Sequence, residues 1–194
     1  VTQCGTSTGQ PKFPIETYEE LPDPTPPSDK EWAAVTTTQV SWGTTDVRYA
    51  KHKLPQLKKQ QIAVLKGWRG ERVNAQAVVW TGAEVKDLNF SFTDFKDKKG
   101  NSLSNEAFKG GFIRYVMTDE LNKDGRGACG HRKAVDFDSL LVADPIDTNL
   151  KSLALPSRTV QPIWVQCWIP QSAAPRTYKG ALLVKDGSRL LQQL

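Results

Sequence analysis

The chain contains, from position 162 to position 170, the stretch Pro162-Ile163-Trp164-Val165-Gln166-Cys167-Trp168-Ile169-Pro170. Successive side chains of a β-strand point to opposite faces. One face of this stretch then carries the apolar side chains of Ile163, Val165, Cys167 and Ile169. The opposite face carries Trp164, Gln166 and Trp168. The stretch therefore predicts a strand with one face in a hydrophobic core and two indoles on the other face.

From Val35 onward the chain consists of similar β-rich runs, separated by Gly, Pro, Asn and Asp. Such runs are typical of strands bounded by turns. Further strands are predicted at residues 35–42, 62–66, 72–81, 85–95, 112–118, 177–184 and 190–194. Alternation is clearest where Leu88, Phe90 and Phe92 fall on one side of a strand. Residues 67–70 and 96–101 predict turns, and residues 136–150 predict irregular structure or a short helical turn.

Strands that follow one another without intervening helices predict an all-β fold, an antiparallel two-sheet β-sandwich or a barrel, of which we favour the β-sandwich. A single Met and 12 Pro argue against a helical bundle. A chain of 194 residues can bury a core without metal ions or disulfide bonds. No apolar run approaches the ~18 residues that a membrane-spanning helix needs, which excludes a transmembrane helix.

The first 31 residues differ in composition from the rest, because Thr, Ser, Gly, Gln and Pro dominate them. We expect an extended, Pro-rich arm at residues 1–31 and the sandwich at residues 32–194. No signal segment opens the chain, so any secretion signal is expected to have been removed. Cys4 is a candidate lipid anchor, although Gln3 before it is larger than the side chain that lipoprotein signals carry there. A free or disulfide-bonded Cys4 is the alternative, and both stay open.

The C-terminal residues predict a hairpin, with a turn at residues 185–189 and a return strand at residues 190–194. Either this strand is the last edge of the sandwich, or the chain is a piece of a longer protein and the sandwich is truncated. We favour the second interpretation.

The charges and metal-ligating residues exclude several classes of function. The 26 basic and 21 acidic residues give a net charge of +5 and are scattered, so no nucleic-acid partner is expected. Cys129 and His131 fall short of the four ligands of a structural zinc site. Residues 120–125 resemble the start of a calcium loop, but His131 occupies the position where such a loop needs Glu. We expect neither a metal nor a cofactor.

The carboxylates do not form a catalytic pattern. Asp119 and Glu120 are neighbours, so in a strand they point to opposite faces and cannot converge on one bond. Asp144 precedes Asp147 by three residues, and nothing else marks this pair as catalytic. There is no G-x-S-x-G motif and no phosphate-binding glycine loop. We therefore expect no catalytic residues, and no enzyme activity from this chain alone.

The aromatic face of the quoted stretch is a candidate binding surface. Trp164 and Trp168 lie about 13 Å apart in a strand, at roughly 3.3 Å per residue, with Gln166 between them. Indole faces stack on flat apolar surfaces such as those of sugars, and Trp80 and Trp68 are weaker candidates for the same surface. The alternative is that these indoles pack beneath a loop or against a neighbouring domain.

Two cysteines allow a disulfide bond if the protein is exported. Cys129 is predicted in a loop after a strand and Cys167 within a strand, so their approach is possible. A buried, free Cys167 is the alternative, because an unpaired cysteine packs as a small hydrophobic residue.

Three segments, taken in order, resemble the N-terminal β-sandwich domain of bacterial glycoside hydrolase family 123-like proteins. They are residues 67–76, residues 112–120 and residues 161–180. The resemblance covers roughly Trp32 to the C-terminus. It implies a sandwich that precedes a (β/α)₈ catalytic barrel, which cleaves β-linked N-acetylgalactosamine. In that family the catalytic Asp-Glu pair belongs to the barrel, so Asp119 and Glu120 do not inherit this role.

The resemblance implies a non-catalytic accessory domain of a glycoside hydrolase, beside the catalytic barrel of the same polypeptide and shaping its glycan cleft. Trp164 and Trp168 would then face the barrel. An independent carbohydrate-binding module and a surface lipoprotein anchored through Cys4 are the alternatives. The protein is expected to be exported, to the periplasm, cell surface or medium. Its expected partners are the barrel and a glycan, and the membrane only through a lipid anchor.

Overall fold

The computed structural model describes residues 20–23, 26–103, 105–118 and 140–194. This part of the chain contains one helical turn, α1, at Asp29–Trp32, and a 3-10 turn at Asn105–Ala107. The strands are β1 (Thr38–Gly43), β2 (Arg72–Thr81), β3 (Val85–Phe92), β4 (Phe95–Lys96), β5 (Ser102–Leu103), β6 (Phe108–Thr118), β7 (Leu140–Asp147), β8 (Ser152–Leu155), β9 (Thr159–Trp168), β10 (Leu182–Asp186) and β11 (Arg189–Gln193).

Two antiparallel sheets form the body of the protein. The larger has the order β1-β2-β9-β6-β7, and the smaller has the order β11-β10-β3-β8. Strands β4 and β5 form a separate short hairpin. Strand β9 holds the centre of the larger sheet, between β2 and β6. The predicted antiparallel β-sandwich is therefore confirmed.

The main core lies between the two sheets. Alternate residues of β2 and β9 face it from the larger sheet, and β3, β8 and β10 close it from the other side. The contributing side chains include Ala75, Ala77, Val79, Ile163, Val165, Leu88, Leu155, Leu182 and Val184. Burial of each Val, Leu or Ile stabilises the fold by roughly 1.5–3 kcal/mol. Phe90 and Phe92 pack against this core, so the predicted inward face of β3 is confirmed.

A second apolar layer covers part of the outer face of the larger sheet. Val78, Trp80 and Val160 point away from the main core, because they alternate with residues that face it. Trp32 and Tyr49 from the N-terminal part of the chain pack on them. The indole Nε1 of Trp32 donates a hydrogen bond to the carbonyl of His52 at 2.8 Å. Trp32, just before β1, and Tyr49, just after it, thus belong to an integral layer of the fold.

Glu20 fastens the start of the described chain to this same face. Its Oε1 lies 2.8 Å from Nε of Arg114 in β6, and its Oε2 lies 2.6 Å from Nζ of Lys51. Burial raises the pKa of Glu20, but the hydrogen bonds from Arg114 and Lys51 together outweigh it and bring the pKa below 4.5. Below these pairs, the buried hydroxyl of Tyr115 donates to the carbonyl of Val160 at 2.7 Å.

The structure corrects the prediction of a strand at residues 62–66. This segment follows Gln60, whose carbonyl accepts a hydrogen bond from the backbone N–H of Trp42 at 2.9 Å. Beyond Gln60 the segment joins no sheet, although β1 is an edge strand. The prediction was wrong because a β-rich composition does not supply a partner strand.

The irregular structure predicted for residues 136–150 is also wrong over Leu140–Asp147. This stretch is strand β7, an edge strand that pairs with β6 and otherwise forms, in the described part of the chain, an isolated bridge between Val142 and Ala50. Pro145 is tolerated there because an edge strand leaves one row of N–H groups unpaired. Strand β8 was not predicted at all. The remaining predicted strands are present with shifted ends, and residues 85–95 are broken into β3 and β4.

Candidate functional site

Trp168 is the exposed aromatic residue at the end of strand β9, with 54% of its surface accessible. Its indole Nε1 donates to the carbonyl of Gly70 at 3.2 Å. Arg72 is its direct partner in the register of β2 and β9, and the guanidinium carbon lies 4.7 Å from the indole ring centroid. One face of the indole is therefore engaged in a cation–π contact, which fixes the orientation of the ring.

A cleft of about 430 Å³ opens beside Trp168. Its lining consists of Gly70, Glu106, Ala107, Trp168, Pro170 and Gln171. An aromatic ring beside a carboxylate and an amide is a combination that can hold a polar ligand with apolar faces, because the ring provides area and the polar groups fix orientation. Gly70 has φ +81°, and an added Cβ would lie 2.3 Å from the side chain of Gln171. A glycine is thus required at this wall of the cleft.

The predicted aromatic face of β9 exists, but its members differ in accessibility. Trp164 is half-buried and packs against Ile113, Tyr115, Leu141 and Ala143. Gln166 is half-buried, and its Nε2 donates to Oδ1 of Asn74 at 3.3 Å. Of the three predicted side chains, Trp168 alone is exposed.

Trp80 was a candidate for the binding surface, but it is not a surface residue. It is 6% exposed and lies beneath Trp32 and Tyr49. Nζ of Lys59 lies 5.7 Å from its ring centroid. The chain's own N-terminal segment therefore covers this indole, and neither a glycan nor another domain can reach it without displacing that segment.

An exposed apolar strip was missed as a candidate site, although its residues stand in the sequence as a nearly continuous hydrophobic run. The apolar strip consists of Ile62, Val64, Leu65 and Trp68. Their side chains are 78%, 77%, 44% and 84% exposed. The signal was present in the sequence, but the run was interpreted as a strand and hence as buried.

Asp144, Asp147 and His52 have structural partners. Asp144 pairs with Arg48 at 3.1 Å, and Asp147 lies 3.5 Å from Arg114. Nδ1 of His52 lies 3.0 Å from the carbonyl of Arg158. Among the residues that the structure describes, no three His, Cys, Asp or Glu side chains form a group that could hold a metal ion.

Several residues considered in the sequence analysis lie outside the described part of the chain: Cys4, Asp119, Glu120, residues 121–125, Cys129 and His131. Cys167, in contrast, is described: it is a free, buried thiol that packs with Leu103, Ala107 and Ala173. Burial raises the pKa of this thiol, which keeps it protonated and unreactive at neutral pH. Its pairing with Cys129 stays a prediction.

Comparison with known proteins gives one family and one type of fold. The family model described as the glycoside hydrolase 123 N-terminal domain matches residues 42–186. No curated protein matches the chain. In the described residues, no helix is long and apolar enough to cross a membrane.

Among solved structures, the chain is similar to a family 123 glycoside hydrolase from Clostridium perfringens that was studied for glycolipid glycan hydrolysis. The TM-score is 0.65 and the sequence identity is 22%. The match covers 81% of this chain and 26% of the clostridial chain. The likeness establishes a shared fold, and the matched region spans about a quarter of the clostridial chain.

Proposed function

Because the chain belongs to the glycoside hydrolase 123 N-terminal domain family, we propose that it is the non-catalytic β-sandwich of a glycoside hydrolase, packed beside the catalytic domain of the same polypeptide. The family match over residues 42–186 carries this proposal. The matched domain is not the catalytic domain of such enzymes. The role of the chain is then to support and border a catalytic site that other residues provide.

The geometry of the sandwich supports a non-catalytic role. Most glycoside hydrolases use two carboxyl groups that flank one bond, about 5–10 Å apart. Asp147 is held by Arg114 and by the backbone N–H groups of Asn149 and Leu150, at 3.0 and 3.1 Å. Asp144 is paired with Arg48. These contacts fix charges and turn geometry, and leave neither carboxylate aimed into the cleft described above.

The substrate class that we propose for the whole enzyme is a glycan with β-linked N-acetylgalactosamine. The resemblance of residues 67–76, 112–120 and 161–180 to family 123-like proteins supports it. The glycolipid glycan hydrolysis studied for the clostridial protein is compatible with this class. We further propose that the protein is exported, which N-terminal sequencing and mass spectrometry of the native protein would test together with acylation of Cys4.

The test compares two purified proteins, this 194-residue chain and the full product of its gene, on an aryl β-N-acetylgalactosaminide. We expect hydrolysis by the full product and none by the 194-residue chain. Hydrolysis by the short chain, lost on changing one of its acidic residues, would contradict the non-catalytic role. A full product without glycosidase activity on a panel of aryl glycosides would contradict the proposed enzyme.

A glycan-binding surface at Trp168 is a second candidate function, favoured by its 54% exposure and by the cleft beside it. Isothermal titration calorimetry with N-acetylgalactosamine oligosaccharides tests it. Trp168→Ala should abolish binding, while Trp68→Ala, which removes an exposed indole outside the cleft, should leave it unchanged. Equal affinity of both variants would reject this surface.

A further inference from the structure

The apolar strip is the most exposed hydrophobic feature among the described residues. Ile62, Val64 and Trp68 each expose more than three quarters of their surface. Single exposed apolar residues are normal, but a contiguous set within seven positions marks an interaction surface. The strip therefore needs a partner that the described chain does not provide.

The backbone of the strip also lacks partners in the described part of the chain. Residues 61–66 form no strand and have no backbone hydrogen bond to a neighbouring strand in the described part of the chain. The segment is tied down at its two ends only. Gln60 accepts from Trp42, and the N–H of Trp68 donates to Oε2 of Glu71 at 2.7 Å. Covering the apolar side chains of such a segment is favourable, and the covering domain must also supply hydrogen-bond partners for its open backbone groups.

The C-terminal residue lies beside this strip. Leu194 is buried, and its backbone N–H and carbonyl both bond to Leu182 at 3.0 Å. Leu194 lines a cavity of about 150 Å³ at the end of the sandwich, and Ile62 and Leu65 line the same cavity. A polypeptide that continues past Leu194 thus leaves the sandwich next to the strip. A tethered domain at such a short distance is present at a high effective concentration.

We propose that the apolar strip is the surface on which the catalytic domain of the same polypeptide docks, with the chain entering that domain past Leu194. This inference rests on the proposed function. It names Ile62, Val64, Leu65 and Trp68 as the contact, in place of the predicted contact through Trp164 and Trp168. Trp164 is excluded as the main contact because Ile113, Tyr115, Leu141 and Ala143 already cover part of it.

Hydrogen exchange in the full gene product tests the docking surface. The amides of residues 61–66 have no partner within the described chain, so exchange slowed by about a hundredfold or more indicates cover from another part of the polypeptide. The same amides should exchange quickly in Ile62→Ser/Val64→Ser/Trp68→Ser. Val47→Ser and Leu190→Ser, which change other exposed apolar residues, should retain the protection. If the triple variant does not fold, the same exchange measurement is made on Val64→Ser alone.

The outcomes separate this inference from the proposed function. Fast exchange of residues 61–66 in a full product that hydrolyses aryl glycosides would overturn the docking surface and leave the proposed function standing. Protection that appears only at concentrations where the protein dimerises would assign the strip to a second copy and also overturn it. A full product without glycosidase activity would overturn the proposed function itself.

Discussion

Arg72 and Trp168 face each other across β2 and β9, with the guanidinium carbon 4.7 Å from the indole centroid. The two residues are far apart in sequence, and the antiparallel register alone brings them together. Because residues directly opposite in an antiparallel pair lie on the same face, this contact holds the exposed indole at the edge of the cleft.

Replacing Arg72 should loosen Trp168 and cost a small amount of stability. We expect Arg72→Ala to lower the free energy of unfolding by about 0.5–1 kcal/mol, the size of an exposed cation–π contact. Arg72→Lys keeps the charge and loses the planar group. Its free energy of unfolding should lie between those of Arg72→Ala and the parent. Urea denaturation measures all three. An Arg72→Ala midpoint equal to that of the parent would show that the contact contributes nothing.

Two tryptophans whose indole N–H groups differ in hydrogen bonding provide a matched pair of variants. Nε1 of Trp32 donates to His52, whereas Nε1 of Trp42 is buried without a hydrogen-bond partner. Loss of a hydrogen bond that leaves a carbonyl unsatisfied costs about 1–3 kcal/mol, whereas removal of a buried donor without a partner relieves a desolvation cost. Trp32→Phe should therefore destabilise more than Trp42→Phe. Thermal or urea unfolding measures the stability of both variants. A larger loss of stability in Trp42→Phe than in Trp32→Phe would contradict the assigned contacts.

Glu20 should stabilise the fold at neutral pH and lose this effect in acid. Glu20→Gln removes the carboxylate that Lys51 and Arg114 share and leaves Arg114 with Asp147, and we expect a loss of about 1–3 kcal/mol. The folded pKa lies below 4.5, so the stabilisation is present above that pH and is lost as the pH falls through the folded pKa. Asp144→Asn is the control, because its pair with Arg48 is about half exposed and contributes about 0–1 kcal/mol.

Asp97 provides a second test of acid sensitivity. Hydrogen bonds from the side chain and backbone of Asn101, from Arg176 and from the N–H of Lys99 outweigh burial and lower its pKa from 3.8 to about 2. Its stabilisation should be complete above pH 3.8 and disappear as the pH approaches 2. Asp97→Asn should unfold more easily at pH 6 and show a flatter stability profile between pH 4 and about 2. A slope equal to that of the parent would exclude this role.

Local alternation was sufficient to predict the sandwich. Leu88, Phe90 and Phe92 in β3, and Ile163 and Val165 in β9, all face the core as their spacing indicates. These strands bury one face against the core, so apolar residues recur at every second position of their sequence. The same alternation places Trp168 on the face opposite the core, but its exposure beside the half-buried Trp164 depends on what packs over that face.

Pairing partners could not be predicted, because they depend on residues distant in sequence. Residues 62–66 have the composition of a strand, but the hydrogen bonding to β1 stops at Gln60, and the segment forms no ladder with that open edge. Leu140–Asp147 is a strand despite its Asp and Pro, because β6 offers an edge. Trp80 is buried by Trp32 and Tyr49, which precede it by several tens of residues. Its burial was therefore not visible in the local pattern.

The unpaired run at residues 61–66 has a practical consequence for handling the sandwich alone. A β-competent segment with open N–H and carbonyl groups is a template for the same segment of another molecule. Purified without the domain proposed to cover it, the sandwich should self-associate as its concentration rises, and a charged residue in place of Val64 should restore its solubility.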